Sequence, residues 1–144
     1  MDEWVCLKCS IPESVDLNRL ADENPLAESM FYRMIAASDS FGRMRGELPM
    51  VIAKCYPLSN RPPGHFRKAL ALLVEMDLVR PYEVGGRPYL QVVNYERHQG
   101  AQAWTRIKAE LPAPPWWEPP VALVEFLKNA KDKIGRASCR ERVY

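Results

Sequence analysis

Two sets of side chains in this sequence could do chemistry. The first is Cys6-x-x-Cys9, with Cys55, His65 and His98 as the other soft or borderline metal donors. Two thiolates at that spacing can hold zinc, but a zinc site usually needs a second tight pair of ligands, and those three residues form none. If Trp4–Cys9 is a strand, residues three apart also point to opposite faces. The pair is therefore read as buried or half-buried thiols, with no metal and no cofactor. The second set is cationic: Arg61, His65, Arg67 and Lys68, with Arg87 farther along. Its chemistry would be docking on a polyanion, with Lys and Arg on phosphate oxygens and helix side chains on base edges in a major groove. The competing reading is an ordinary solvated helix face.

Enzyme signatures are missing. There is no G-x-x-x-x-G-K-[ST] phosphate loop and no G-x-S-x-G elbow. The 2 histidines have no flanking triad or metal set. His98 reads as a capping or packing residue, and Asp39 as a turn residue that accepts from nearby backbone amides. No catalytic residue is assigned, and the expectation is a binding module.

The elements that must position the cationic set follow from local patterns. Trp4–Lys8 has strand-like composition. Ser14 suits an N-cap for a short helix to about Leu20, with Val15, Leu17 and Leu20 as its apolar residues. Asn24 and Pro25 open the next helix. Leu26, Met30, Phe31, Met34 and Ile35 form its apolar stripe, and it should stop near Ser38. Asp39–Gly42 is a turn, and Arg43–Arg45 a short strand. A third helix is predicted over Pro49–Tyr56, followed by a loop through Gly64. The fourth covers His65–Met76, with Phe66, Ala69, Leu70 and Leu73 on one face and Arg67, Lys68 and Ala71 on the other. Two strand-like runs, Val79–Val84 and Arg87–Asn94, flank Gly85-Gly86, a strong hairpin signal. Pro81 and Pro88 cannot donate to a ladder, so they suit an exposed, edge-type ribbon.

Beyond Gln99, Trp104, Ile107 and Leu111 could share a helix face. Leu111–Pro120 reads as a semi-rigid Pro-rich linker. Trp116 and Trp117 could stack on bases, but in such a segment they more often pack against the domain or a partner. Residues 121–133 could begin a further helix.

Residues 134–144 resemble a translated sequencing adapter and are set aside. Of the 4 cysteines that removes Cys139, and the odd remainder argues against a disulfide framework. The chain has 20 basic and 18 acidic residues, net +2. The tail holds Arg136, Arg140 and Arg142 against Glu141, also +2, so the remainder is neutral. Residues 61–98 hold six basic and four acidic residues, or +2, and residues 1–60 six and nine, or −3. The asymmetry mildly favours the later half as the side facing a polyanion. With no long apolar run and no leader visible, a soluble, cytoplasmic protein is expected, cut short at its C-terminal end.

The stretch from Asn18 to about Gln99 resembles the N-terminal winged-helix domain of phage replication-initiation proteins, the replisome-organiser or DnaD-type primosomal group. "PLAESMFYRMIAASDSFGRM" is similar to that family's helix followed by A-D-x-x-G-R-hydrophobic, here Ala37, Asp39, Gly42 and Arg43. "FRKALALLVEMDLVRPYEVGGRPYLQVVNYERHQ" is similar to its last helix, its wing and a closing N-x-x-x-H-Q at Asn94, His98 and Gln99. The resemblance implies an α+β, mainly helical fold: a winged helix-turn-helix with a C-terminal β-hairpin wing. It implies binding to double-stranded DNA, or assembly with itself or with replication proteins, and brings no catalytic residues; a transcriptional regulator of the same fold is the further alternative. The expected organisation is a winged-helix domain over 1–99, a short helix and Pro-rich linker over 100–120, the start of a C-terminal region over 121–133, and the artefactual tail.

Overall fold

A computed structural model describes residues 11–95, 111–118, 124–125 and 128–129. The Trp4–Lys8 strand, Cys6, Cys9, His98, the segment around Trp104 and the tail fall outside the described residues.

Each helix starts where its sequence supplies an N-terminal partner or a proline. After a turn of 3-10 helix at Ile11–Glu13, α1 spans Val15–Glu23, and the Ser14 hydroxyl accepts from the Leu17 amide. It runs three residues past Leu20, with Arg19 and Glu23 paired at 2.7 Å across its last turn. Asn24 then closes one helix and opens the next. Its backbone N–H bonds to the Leu20 carbonyl, and its side chain accepts from Ala27 at the start of α2, Pro25–Ala37. The strand β1 covers Arg43–Arg45, α3 covers Leu48–Cys55 and α4 covers Pro63–Glu75. Helix α4 thus begins two residues before the expected His65. Pro63 takes its first turn, where an N–H would have no helical acceptor anyway, so the Pro-Pro pair starts the helix instead of prolonging the loop.

At its far end α4 closes by a pair of bonds that fixes the exit of the chain. The Leu78 amide donates to the Leu73 carbonyl and the Asp77 amide to Val74, with Asp77 at φ +56°. This is the Schellman arrangement with a short polar residue in the left-handed position. It turns the chain directly into β2, Val79–Val84, and Gly85 and Gly86, at φ +60° and +76°, reverse it into β3, Arg87–Val92. Two successive positive φ values define the type I′ turn that matches strand twist.

The sheet is antiparallel, in the order β1-β3-β2. The ribbon's second strand is therefore central, contrary to the edge-type ribbon expected from its proline. Pro88 is accommodated because β1 has already ended: it pairs only with Glu83, and its carbonyl accepts from Gly46. Pro81 lies in β2, the outer strand of the described three.

One core joins these elements. Leu20 of α1, Met30 and Met34 of α2, Val51 of α3, Phe66 and Leu73 of α4, and Val79 and Val92 of the sheet are fully buried. Each such side chain contributes about 1.5–3 kcal/mol relative to exposure. Phe66 also carries the Tyr56 ring at 4.9 Å, and Arg33 lies over that same ring, 4.2 Å from its centroid, while donating to the Cys55 carbonyl. Three expected core positions behave otherwise. Val15 is 81% exposed because it sits in the first turn of α1, off the Leu17–Leu20 stripe, and Leu26 and Leu70 are half-buried.

Alternation along the strands separates two faces. Met44, Val79, Leu90 and Val92 turn to the helices. Arg43, Arg45, Arg80, Tyr82, Tyr89 and Gln91 fall on the other face. That outer face is not bare, for Leu111–Glu118 lies against it. The Tyr82 hydroxyl donates to the Pro112 carbonyl at 2.7 Å, and Trp117 meets Phe41 edge-on with the Arg43 guanidinium 4.5 Å from its ring. The segment expected as a linker is thus seated on the domain.

Candidate nucleic-acid interface

The cationic residues singled out in the sequence are all surface residues. Arg61, His65, Arg67, Lys68 and Arg87 are exposed. Four of them cluster in sequence around the start of α4. The Ser59 hydroxyl accepts from the Arg61 amide at 3.1 Å and shapes the approach to the helix. Burial of Phe66, Ala69 and Leu73 then forces Arg67 and Lys68 outward. The positive end of the helix dipole lies at the same terminus and adds to their field.

Arg87 occupies a separate element, the strand end after the Gly85-Gly86 turn. Its charge reaches Glu47, whose carboxyl sits below its ordinary pKa chiefly through its hydrogen bonds with Arg45, at 2.6 and 3.2 Å. Part of the ribbon's positive field is therefore offset locally. The far end of α4 is not cationic. Glu75 is exposed and acts on Arg19 of α1. Asp77 is held below its usual range by the Arg80 guanidinium at 2.6 and 2.7 Å. The potential is thus concentrated at the N-terminal half of α4. Lys54, exposed in the last turn of α3, adds a cation just ahead of this region. Sequence reasoning passed over it because one lysine in a short apolar helix carries no pattern.

Other chemistry is confined to structural roles. Asp39 accepts from the amides of Phe41 and Arg43 at 2.9 and 3.0 Å, yet burial outweighs these bonds and raises its pKa. Cys55 is a buried free thiol, and burial pushes it up to about 11, partly opposed by Arg33. Burial likewise pushes the Tyr82 phenol up to about 12. Both groups are neutral in the folded state at pH values where an unfolded chain, with values of 9.0 and 10.0, begins to ionise. Their contribution to stability is therefore fully present below about pH 9 and lost as pH rises through 11 to 12. Two outcomes are expected: a falling denaturation midpoint above pH 9, and no alkylation of Cys55 by iodoacetamide at pH 8 until the chain unfolds. Peptide-level mass spectrometry reads the second, and rapid native labelling of Cys55 would contradict its burial.

Among the described residues no group of three or more His, Cys, Asp or Glu side chains is placed to hold a metal ion, and no helix is long and apolar enough to cross a membrane. Compared with known proteins, the chain matches no family model, no curated protein and no solved structure.

Proposed function

We infer that residues 11–95 form a winged helix-turn-helix module that docks on double-stranded DNA, and that it serves the initiation of DNA replication in a phage-type system. The observation that carries the docking is the order of elements. A helix, a short strand, two helices and a ribbon follow one another, and the short strand pairs with the second strand of the ribbon. That arrangement leaves the outward face of α4 and the ribbon tip free, as groove binding by a winged helix requires. Arg67, Lys68 and His65 would face the groove, Arg61 and Lys54 the flanking phosphates, and Arg87 at the wing a phosphate or the minor groove. The Tyr56–Pro62 connection is longer than the roughly 3–4-residue turn of a compact helix-turn-helix, which gives α4 a more independent approach. The replication role rests on the family resemblance alone, and no catalytic residue belongs to this reading.

A second reading, a module for assembly with itself or with replication proteins, draws on exposed apolar side chains. Leu58 is 94% exposed in the α3–α4 connection, and Met50 is 41% exposed. Salt separates the two. Phosphate contacts release counterions, so DNA affinity should fall steeply as salt rises, whereas an apolar surface should be indifferent.

The deciding experiment is an electrophoretic shift on duplex DNA with the Arg67→Ala/Lys68→Ala variant. Both side chains lie off the core, so circular dichroism should be unchanged. Duplex affinity should drop about tenfold or more, and the slope of log affinity against log salt should fall by about 2. Unaltered affinity and slope would remove α4 from the DNA face.

A further inference from the structure

The outer face of the sheet carries a built seat that the DNA reading does not use. Its floor is the cross-strand pair Tyr82 and Tyr89, stacked 5.4 Å apart at 23°, and both rings are buried. One wall is Phe41 with Arg43, and the other is Arg80. The occupant, Leu-Pro-Ala-Pro-Pro-Trp-Trp-Glu, meets each part in turn. The Leu111 amide faces the Asp39 carboxylate, and the Pro112 carbonyl accepts from the Tyr82 hydroxyl. Pro114 is buried, Trp117 packs on Phe41 and Arg43, and Trp116 lies 5.3 Å from the Arg80 guanidinium while remaining 46% exposed.

This is how aromatic-lined grooves recognise proline-rich peptides. Proline has no N–H to satisfy and little freedom to lose. A tyrosine hydroxyl aimed at a carbonyl in an aromatic-lined groove therefore gives affinity and register together. The remaining cavity beside the segment, bounded by Arg80, Gln91, Trp116 and Glu118, measures about 170 Å³. Small-molecule sites run from roughly 300 Å³ upward, so this remaining space is too small for a typical metabolite. The occupant makes a single turn, from the Trp117 amide to the Pro114 carbonyl, and joins no strand of the described sheet. Nothing in those contacts ties the seat to this particular copy of the sequence.

We propose that the outer sheet face is a recognition groove for proline–tryptophan peptides, filled in cis by residues 111–118, and that a proline-rich, tryptophan-bearing segment of a partner protein takes the same place. The inference stands apart from the DNA reading, because the groove and α4 lie on opposite sides of the sheet. A ligand carried in the same chain has an effective concentration of about millimolar. A free peptide therefore competes poorly with the intact chain, and well once the cis segment is weakened.

The test uses the full chain and a dye-labelled peptide of sequence LPAPPWWE, read by fluorescence anisotropy. Trp117→Ala alters the occupant and leaves the sheet intact. The variant should bind the peptide saturably and at least tenfold more tightly than the unaltered chain. Adding Tyr82→Phe should weaken that binding about fivefold, the worth of one hydrogen bond of about 1 kcal/mol. Where Trp117→Ala unfolds the protein, Pro114→Asp replaces it, since it also disturbs only the occupant. Absence of saturable binding to a folded variant overturns the proposal. So does a gain in self-association that the peptide suppresses, which would assign the groove to a second copy of the chain.

Discussion

Gly42→Ala is expected to lower the unfolding free energy by about 3 kcal/mol, the sum of two independent effects. Gly42 sits at φ +78°, where an L-residue costs about 1–2 kcal/mol. A Cβ there would also lie 2.5 to 2.7 Å from three atoms of Tyr95, whose ring is buried against the core. Relieving that overlap costs about 1–3 kcal/mol more. Movement of Gly42 is resisted on both sides, because its carbonyl accepts from Val92 and its amide donates to Asp39. For a domain with a total stability of about 5–15 kcal/mol the loss is large, and melting should fall by roughly 12–20 °C. Gly64→Ala is the internal control. It lies in the first turn of α4 with nothing within 4 Å of the added carbon, so it should be neutral or slightly stabilising. Equal midpoints for the two variants in guanidinium would refute the strain assigned to Gly42.

Gln91→Leu should be nearly as damaging, by about 3 kcal/mol, through polar groups and not shape. Gln91 is 3% exposed and Arg43 is 4% exposed. The Gln91 side-chain oxygen accepts from the Arg43 Nε at 3.0 Å, and its nitrogen donates to the carbonyls of Phe41 at 2.7 Å and Val92 at 3.0 Å. Leucine fills a similar volume but offers neither an acceptor to the guanidinium nor a donor to the carbonyls. Removing the amide deprives the buried guanidinium Nε and two carbonyls of this partner, which is where the penalty arises. The Arg43→Leu/Gln91→Leu double variant should accordingly be less destabilised than the sum of the single ones, by 1 kcal/mol or more on the order of measured couplings. Strict additivity by chemical denaturation would dissolve the network.

These two sites also mark where the sequence stops being informative. Local chemistry was legible. Ser14, Asn24-Pro25 and Gly85-Gly86 each act within a few residues, and the caps and the hairpin turn stand where those side chains imply. The apolar stripes of α2 and α4 were legible for the same reason. Partners distant in sequence were not. Arg-Met-Arg is too short to reveal that it pairs with β3, and nothing in Arg43 or Gln91 announces burial, because each is buried by residues distant in sequence. The Pro-rich segment reads as a spacer by composition, and the contacts of Pro112 with Tyr82 and of Trp117 with Phe41 and Arg43 show it seated. Of the candidate site, the outward set of α4 came from periodicity alone. Lys54 and the acidic offset at Glu75, Asp77 and Glu47 needed three-dimensional neighbours.

Pro81 has a further consequence. The two-residue turn sets the alternation of the ladder, so every second N–H of β2 points away from β3, and residue 81 is in that series. A proline there leaves a gap in the outward row of donors along the β2 edge of the described sheet. Crowded copies of this protein should therefore resist edge-to-edge aggregation and fibril growth through β2.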